Sequence, residues 1–114
     1  MCTVTLLPQA NNSFILTSNR DEHPKRETLA PKKYIENGVE MFFPKDKLAG
    51  GTWIGVSEKN RMVCVLNGAF KNHKKKKNYK QSRGVLAKEI LKSDSFLEFI
   101  NNYNLEGIEP FTMI

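Results

Sequence analysis

The chain lacks any apolar run approaching the roughly 20 residues a bilayer-spanning helix requires. Its amino-terminus has no basic stretch followed by an apolar core, so neither a transmembrane anchor nor a secretory leader is expected. Cysteine is scarce: two residues without a leader do not make a disulfide framework, and a reducing, cytoplasmic setting is the expectation. Histidine is equally scarce. His23 and His73 stand apart with no metal-ligand spacing around them, so no metal is expected. There is no phosphate-loop signature either, and no cofactor is expected.

Acidic residues are missing from positions 71–80, a basic loop that holds six lysines. Removing those six from the 18 basic residues leaves 12, which match the 12 acids, so the net charge of +6 belongs to one loop. A whole-surface basic footprint is missing, and no specific nucleic acid is expected as a partner. The loop is able to touch phosphate or anionic lipid, but a solvated, flexible loop is the stronger reading, with Tyr79 its one aromatic. What remains is 114 residues, 39% hydrophobic and 26% charged, which fits one small globular domain at most.

Thr3 to Leu7 reads as a strand, Pro8 to Ser13 as a turn, and Phe14 to Ser18 as a second strand paired with the first. Pro24 and the polar residues after it mark a loop. Val39 to Phe43 reads as a short strand that stops at Pro44. Leu48 to Thr52 is a glycine-bearing bend, Trp53 to Ser57 a strand, and Glu58 to Asn60 a tight turn. Met62 to Leu66 is apolar throughout and is expected to be buried on both faces. Ser82 caps a predicted helix through Leu91, with Val85, Leu86, Ile90 and Leu91 on its apolar side. Ser95 with Glu98 forms a capping-box pattern for a second helix, which Phe96, Leu97, Phe99 and Ile100 would bury. Pro110 to Ile114 looks like the start of a further strand. Strands followed by helices give an α+β fold.

The chemistry-bearing residues begin with Cys2. If the initiator Met is removed, Cys2 carries a free α-amine with a pKa near 7.7–8.0, able to act as a general base beside its own thiol. Position alone favours the plainer reading, a small residue behind a start codon. Asn19-Arg20-Asp21-Glu22 ends the second strand, and hairpin geometry returns that end to the start of the first. Arg20 would then lower a thiolate's pKa, and Asp21 would orient the amine. On the residues alone, a solvated turn with surface ion pairs is the stronger reading of this cluster. Gly50, Gly51 and Trp53 sit in a glycine-rich approach that suits either a ligand or a core Trp at a strand start. Asn67 before Gly68 is a common turn pair, and its amide is also able to donate to an oxyanion. Cys64, in mid-strand, reads as a small buried hydrophobe.

In order and spacing, five segments resemble the NRDE family, also called the transport and Golgi organisation 2 family. They are Met1-Cys2 leading into a strand, Thr17 to Glu22, Gly50 to Val56, Leu66-Asn67, and Ser82 to Leu86. The resemblance implies an amino-terminal-nucleophile (Ntn) hydrolase-like fold, an αββα sandwich of which residues 1–114 would form a single partial domain, the amino-terminal half. It extends to the cholylglycine and penicillin V hydrolases. On that analogy Cys2 is nucleophile and base, Arg20 supports thiolate and substrate, Asp21 holds the amine and Asn67 is the oxyanion donor. Asn19, Glu22, Gly50, Gly51 and Trp53 belong to the motifs without an assigned step. The implied partner is a small-molecule amide or acyl ligand. The alternative is a non-catalytic binding or trafficking protein for heme or an acyl-lipid or acyl-CoA ligand. The lysine run is not part of the family pattern.

Overall fold

The computed structural model describes residues 2–68, 71 and 73–114. Met1, whose removal the nucleophile reading requires, and Asn72 of the basic loop lie outside them.

Strands β1 (Thr3–Pro8) and β2 (Phe14–Asn19) form an antiparallel hairpin in register Thr3↔Asn19 to Pro8↔Phe14. Its turn places Asn11 and Asn12 at φ 61° and 56°, a left-handed region that Asn tolerates better than most residues. This pair is a sheet of its own.

The second sheet runs in the order β3-β4-β5-β6-β7, every neighbour antiparallel. Its strands are β3 (Thr28–Glu36), β4 (Val39–Asp46), β5 (Ile54–Ser57), β6 (Arg61–Asn67) and β7 (Phe111–Met113). Two expectations fail here. Part of the span read as a loop after Pro24 is strand β3, and β4 does not stop at Pro44. The reason is a shared bulge. The register steps from Leu29↔Lys45 to Lys32↔Phe43, so Ala30 and Pro31 together oppose Pro44. Both prolines sit where the ladder is already interrupted, and their missing N–H groups cost no pairing. Asn37 and Gly38 close the hairpin at φ 53° and 77°, the doubly left-handed turn that matches strand twist. Trp53 precedes β5 instead of opening it.

Helix α1 (Arg83–Lys92) starts where Ser82 Oγ accepts the Val85 N–H at 3.2 Å. It ends where the Ser93 N–H reaches the carbonyls of Glu89 and Ile90. Leu86, Ala87, Ile90 and Leu91 are buried. Val39, Met41, Phe43, Val63 and Val65 join Ala87 and Leu91 in the core, so α1 covers one face of β4 to β6. Lys88 Nζ reaches Glu36 at 2.8 and 3.0 Å, tying the helix to the edge strand β3.

Helix α2 (Phe96–Asn102) is capped by Ser95, whose Oγ accepts the Glu98 N–H at 3.3 Å. The buried side expected of it is not there. None of its residues is buried, and Leu97 is 70% exposed. Seven residues give two turns of helix, and α1 already occupies the sheet face. Phe99 stacks instead on Tyr103 beyond the helix end, ring centroids 4.6 Å apart.

Side chains alternate across a strand, and the face opposite α1 is only partly covered. Phe42, Val56 and Met62 lie in cross-strand register there and are exposed. The expectation that β6 is buried on both faces therefore holds only for Val63 to Val65. The hairpin leans over this side. A cavity of about 500 Å³ separates its Leu6, Phe14 and Leu16 from Met62 and Ile114. The radius of gyration, 14.4 Å, slightly exceeds the roughly 13 Å of a compact domain this size. The architecture is α+β: antiparallel strands, two helices and a closing strand.

Candidate functional site

The register Thr3↔Asn19 brings the start of the chain beside the segment that follows β2. Asn19 Oδ1 accepts the Thr3 N–H at 2.6 Å and fastens the two strand ends together. Cys2 is half-buried, with its Sγ 3.9 Å from the Asp21 carbonyl oxygen, a thiol-donor contact at sulfur range. Cys64 is fully buried. Burial pushes its thiol up, Ser18 opposes that by hydrogen bonding, and Cys2 adds to the rise. Both cysteines are free. Cys64 thus has the character of an inert core thiol.

Arg20 is the hub of the polar cluster. Its Nη2 donates to Asp46 Oδ2 at 2.5 Å and its Nη1 to Thr28 Oγ1 at 3.2 Å. The guanidinium lies over Trp53, 4.7 Å from the ring centroid, within cation–π range. Asp46 is buried at the end of β4, where the chain turns sharply. Its Oδ1 accepts the N–H groups of Leu48 and Ala49 at 3.1 and 2.8 Å. Arg26 Nε stands 2.7 Å from Oδ2 without hydrogen-bond alignment, so that contact is ionic. Arg26 also pairs with Glu22 at 3.1 Å. Burial pushes the Asp46 carboxyl up, but the Ala49 N–H and the charges of Arg26 and Arg20 outweigh it and hold the carboxyl below its usual range.

The turn after Asp46 delivers Gly51 against the start of α1. A Cβ at Gly51 would come within 2.4 Å of the Gly84 carbonyl carbon, so only two glycines allow this approach. The Thr52 N–H donates to Gly84 O at 3.1 Å across the contact. That docking fixes Arg83 at the helix start, where Nη2 pairs with Glu109 at 3.1 Å and Nη1 donates to Pro110 O at 3.0 Å. His73 Nε2 meets the other Glu109 oxygen at 3.0 Å. Asn67 closes β6 opposite Phe111.

These elements surround a cavity of about 140 Å³. Of the residues singled out by sequence, Arg20, Glu22, Gly51, Trp53 and Asn67 line it. Cys2, Asn19, Asp21 and Gly50 do not. From sequence, Asp46, Arg26 and Glu109 are not expected at the site, and Arg83 is expected only as a helix residue within a family segment; all four line the cavity. A signal existed for Asp46, which opens a turn with Gly50 and Gly51 four and five positions on. Nothing local marks Glu109.

Among the described residues, no group of three or more His, Cys, Asp and Glu side chains is placed to hold a metal. No described helix is long and apolar enough to cross a membrane. A family model described as Transport and Golgi organisation 2 matches residues 1–114. Among curated proteins and solved structures, nothing matches the chain.

Proposed function

The chain belongs to the Transport and Golgi organisation 2 family, and from that premise we propose that it is an amidohydrolase of the Ntn kind, with Cys2 as nucleophile and a linear amide as substrate. One observation carries this reading. The hairpin holds the Cys2 sulfur 3.9 Å from the backbone oxygen of Asp21, the residue that follows Arg20 in the chain, and Arg20 shares a cavity with Asn67.

The mechanism starts once Met1 is removed. The Cys2 α-amine, of ordinary pKa about 7.7–8.0, takes the thiol proton. The sulfur attacks the amide carbonyl carbon, and the carbonyl electrons move onto oxygen. The Asn67 side-chain N–H donates to that oxyanion. On collapse the C–N bond breaks, and the departing nitrogen takes the proton held by the Cys2 amine. Water then attacks the thioester, giving up a proton to the same amine. The carboxylic acid leaves and the thiol is restored. Arg20, anchored by Asp46 and Trp53, keeps further N–H donors for the substrate, since a guanidinium carries five. Asp21 orients the amine.

The test uses an activated acyl amide with the full-length protein. Cys2→Ala and Cys2→Ser are expected to abolish both turnover and covalent labelling, and intact mass is expected to show loss of Met1. Acylation that persists in Cys2→Ala would overturn the mechanism.

A second reading is non-catalytic binding of an acyl or heme ligand. It is favoured by one fact: Cys2 does not line the cavity that Arg20 and Asn67 share. This reading expects a ligand whose affinity collapses in Arg20→Ala and survives Cys2→Ser.

A further inference from the structure

The lysine loop has no role in the mechanism above, yet it meets the same site. A second cavity, of about 230 Å³, opens beside Asn67 and is lined by Lys71, His73, Lys75, Arg83 and Glu109. It shares Asn67, Arg83 and Glu109 with the first cavity. We propose that this second cavity is a subsite for a phosphate group carried by the substrate, with Lys71 and Lys75 as its binding residues; this rests on the reading of the Asn67 cavity as the reacting site.

Charge supports the assignment. Arg20 and Arg26 are matched by Asp46 and Glu22, and Arg83 by Glu109. Lys71 and Lys75 enter no ion pair among the described residues, although other lysines of this chain find carboxylates. Two unmatched cations facing one concavity attract an anion, and the single acid there, Glu109, is already paired.

Described residues of the loop on either side of Lys75 are anchored. His73 is tied to Glu109, the Lys76 N–H donates to Tyr79 Oη at 2.8 Å, and the Lys80 N–H donates to Gly107 O at 2.8 Å. Glu109 therefore positions the loop base and the first turn of α1 together. The ligand chemistry follows from the cations. A carboxylate is best met by a planar guanidinium fork, and the Arg83 fork is occupied by Glu109 and Pro110. Two ammonium groups, compact and freely rotating, suit a tetrahedral phosphate of higher charge. A nucleic acid would draw equally on Lys74, Lys76 and Lys77, which do not line the cavity.

Calorimetric titration of the full chain with inorganic pyrophosphate at low salt tests this. The expected result is one saturable site, weakened about tenfold in Lys71→Ala/Lys75→Ala. The charge-matched Lys76→Ala/Lys77→Ala is expected to change it less than about twofold, and Cys2→Ser to leave it unchanged. Saturation of this kind without Cys2-dependent turnover would support the subsite while removing the nucleophile reading. Turnover without pyrophosphate saturation would overturn the subsite alone. Equal weakening in the two double variants would overturn it as diffuse loop charge. Sedimentation with phosphatidylglycerol vesicles that requires Lys71 and Lys75, without pyrophosphate saturation, would also overturn it, in favour of a lipid headgroup.

Discussion

Replacing Asp46 by Ala removes four contacts at once: the Arg20 and Arg26 ion pairs, and acceptance of the Leu48 and Ala49 N–H groups. Arg26, a third exposed, contributes little once solvent screening is allowed for. Arg20, 17% exposed, is left as a nearly buried cation without its partner, which places the loss near the low end of the roughly 3–5 kcal/mol typical of breaking a buried pair. With the two turn hydrogen bonds the total comes to about 4 kcal/mol. Unfolding entropy of roughly 2.1 cal/mol/K per residue gives about 0.24 kcal/mol/K for this chain, so Tm should fall by about 15 °C. Asp46→Asn keeps an acceptor for the two N–H groups but leaves Arg20 without its counter-charge, and should lose about 3 kcal/mol. Thermal unfolding followed by circular dichroism at neutral pH reads both values. The sign with pH is fixed as well. The Asp46 carboxyl is held low in the folded state, so its contribution is full above the unfolded pKa of about 3.9 and fades as pH falls through the lower folded value. The acid limb below about pH 4 should therefore be shallower in Asp46→Ala. A Tm drop under about 4 °C, or equal drops for Ala and Asn, would refute this account of the hub.

Gly84→Ala puts a Cβ 2.8 Å from Thr52 O, and should cost about 2 kcal/mol by chemical denaturation even though Ala favours the helix by about 1 kcal/mol; unchanged stability would mean the α1–Gly51 contact is loose. The open apolar row on β4 to β6 should make the chain self-associate at high concentration, and Phe42→Lys should reduce the light-scattering mass towards that of a monomer. Lys88→Ala should loosen β3 from α1, with the 3.8 Å Lys92–Glu36 pair remaining, lowering stability by about 1 kcal/mol and speeding amide exchange at Tyr34 and Glu36, both measurable by NMR.

Strands and helices with local signals were legible in the sequence. The β1–β2 hairpin shows an apolar run, a polar turn and a second run, and α1 shows Ser82 followed by a periodic apolar face. Strand β3 was not legible, because as an edge strand it is mostly exposed and carries Pro31, Lys32 and Lys33 where apolar alternation would otherwise show. Asn37-Gly38 was the available clue, a turn pair that implies a strand on each side. Pro44 misled for the same reason as Pro31: one bulge absorbs both. At the site, Arg20, Glu22, Gly51, Trp53 and Asn67 stand in visible motifs. Glu109 does not, and Asp46 shows only its turn, since their ion-pair partners lie 20 or more residues away and only the folded chain supplies them. The same holds for α2, whose apolar pattern promised a buried face that the sheet, already covered, does not accept.

Trp53 is the one tryptophan in the chain, and its ring sits in the cavity wall beneath a guanidinium. All indole emission from this protein therefore originates at a single point on the candidate site. Anything that enters the cavity, lifts Arg20 off the ring or lets water reach it must alter that emission, without any label attached. The site comes with its own optical reporter, and ligand screening can begin before a reaction is known.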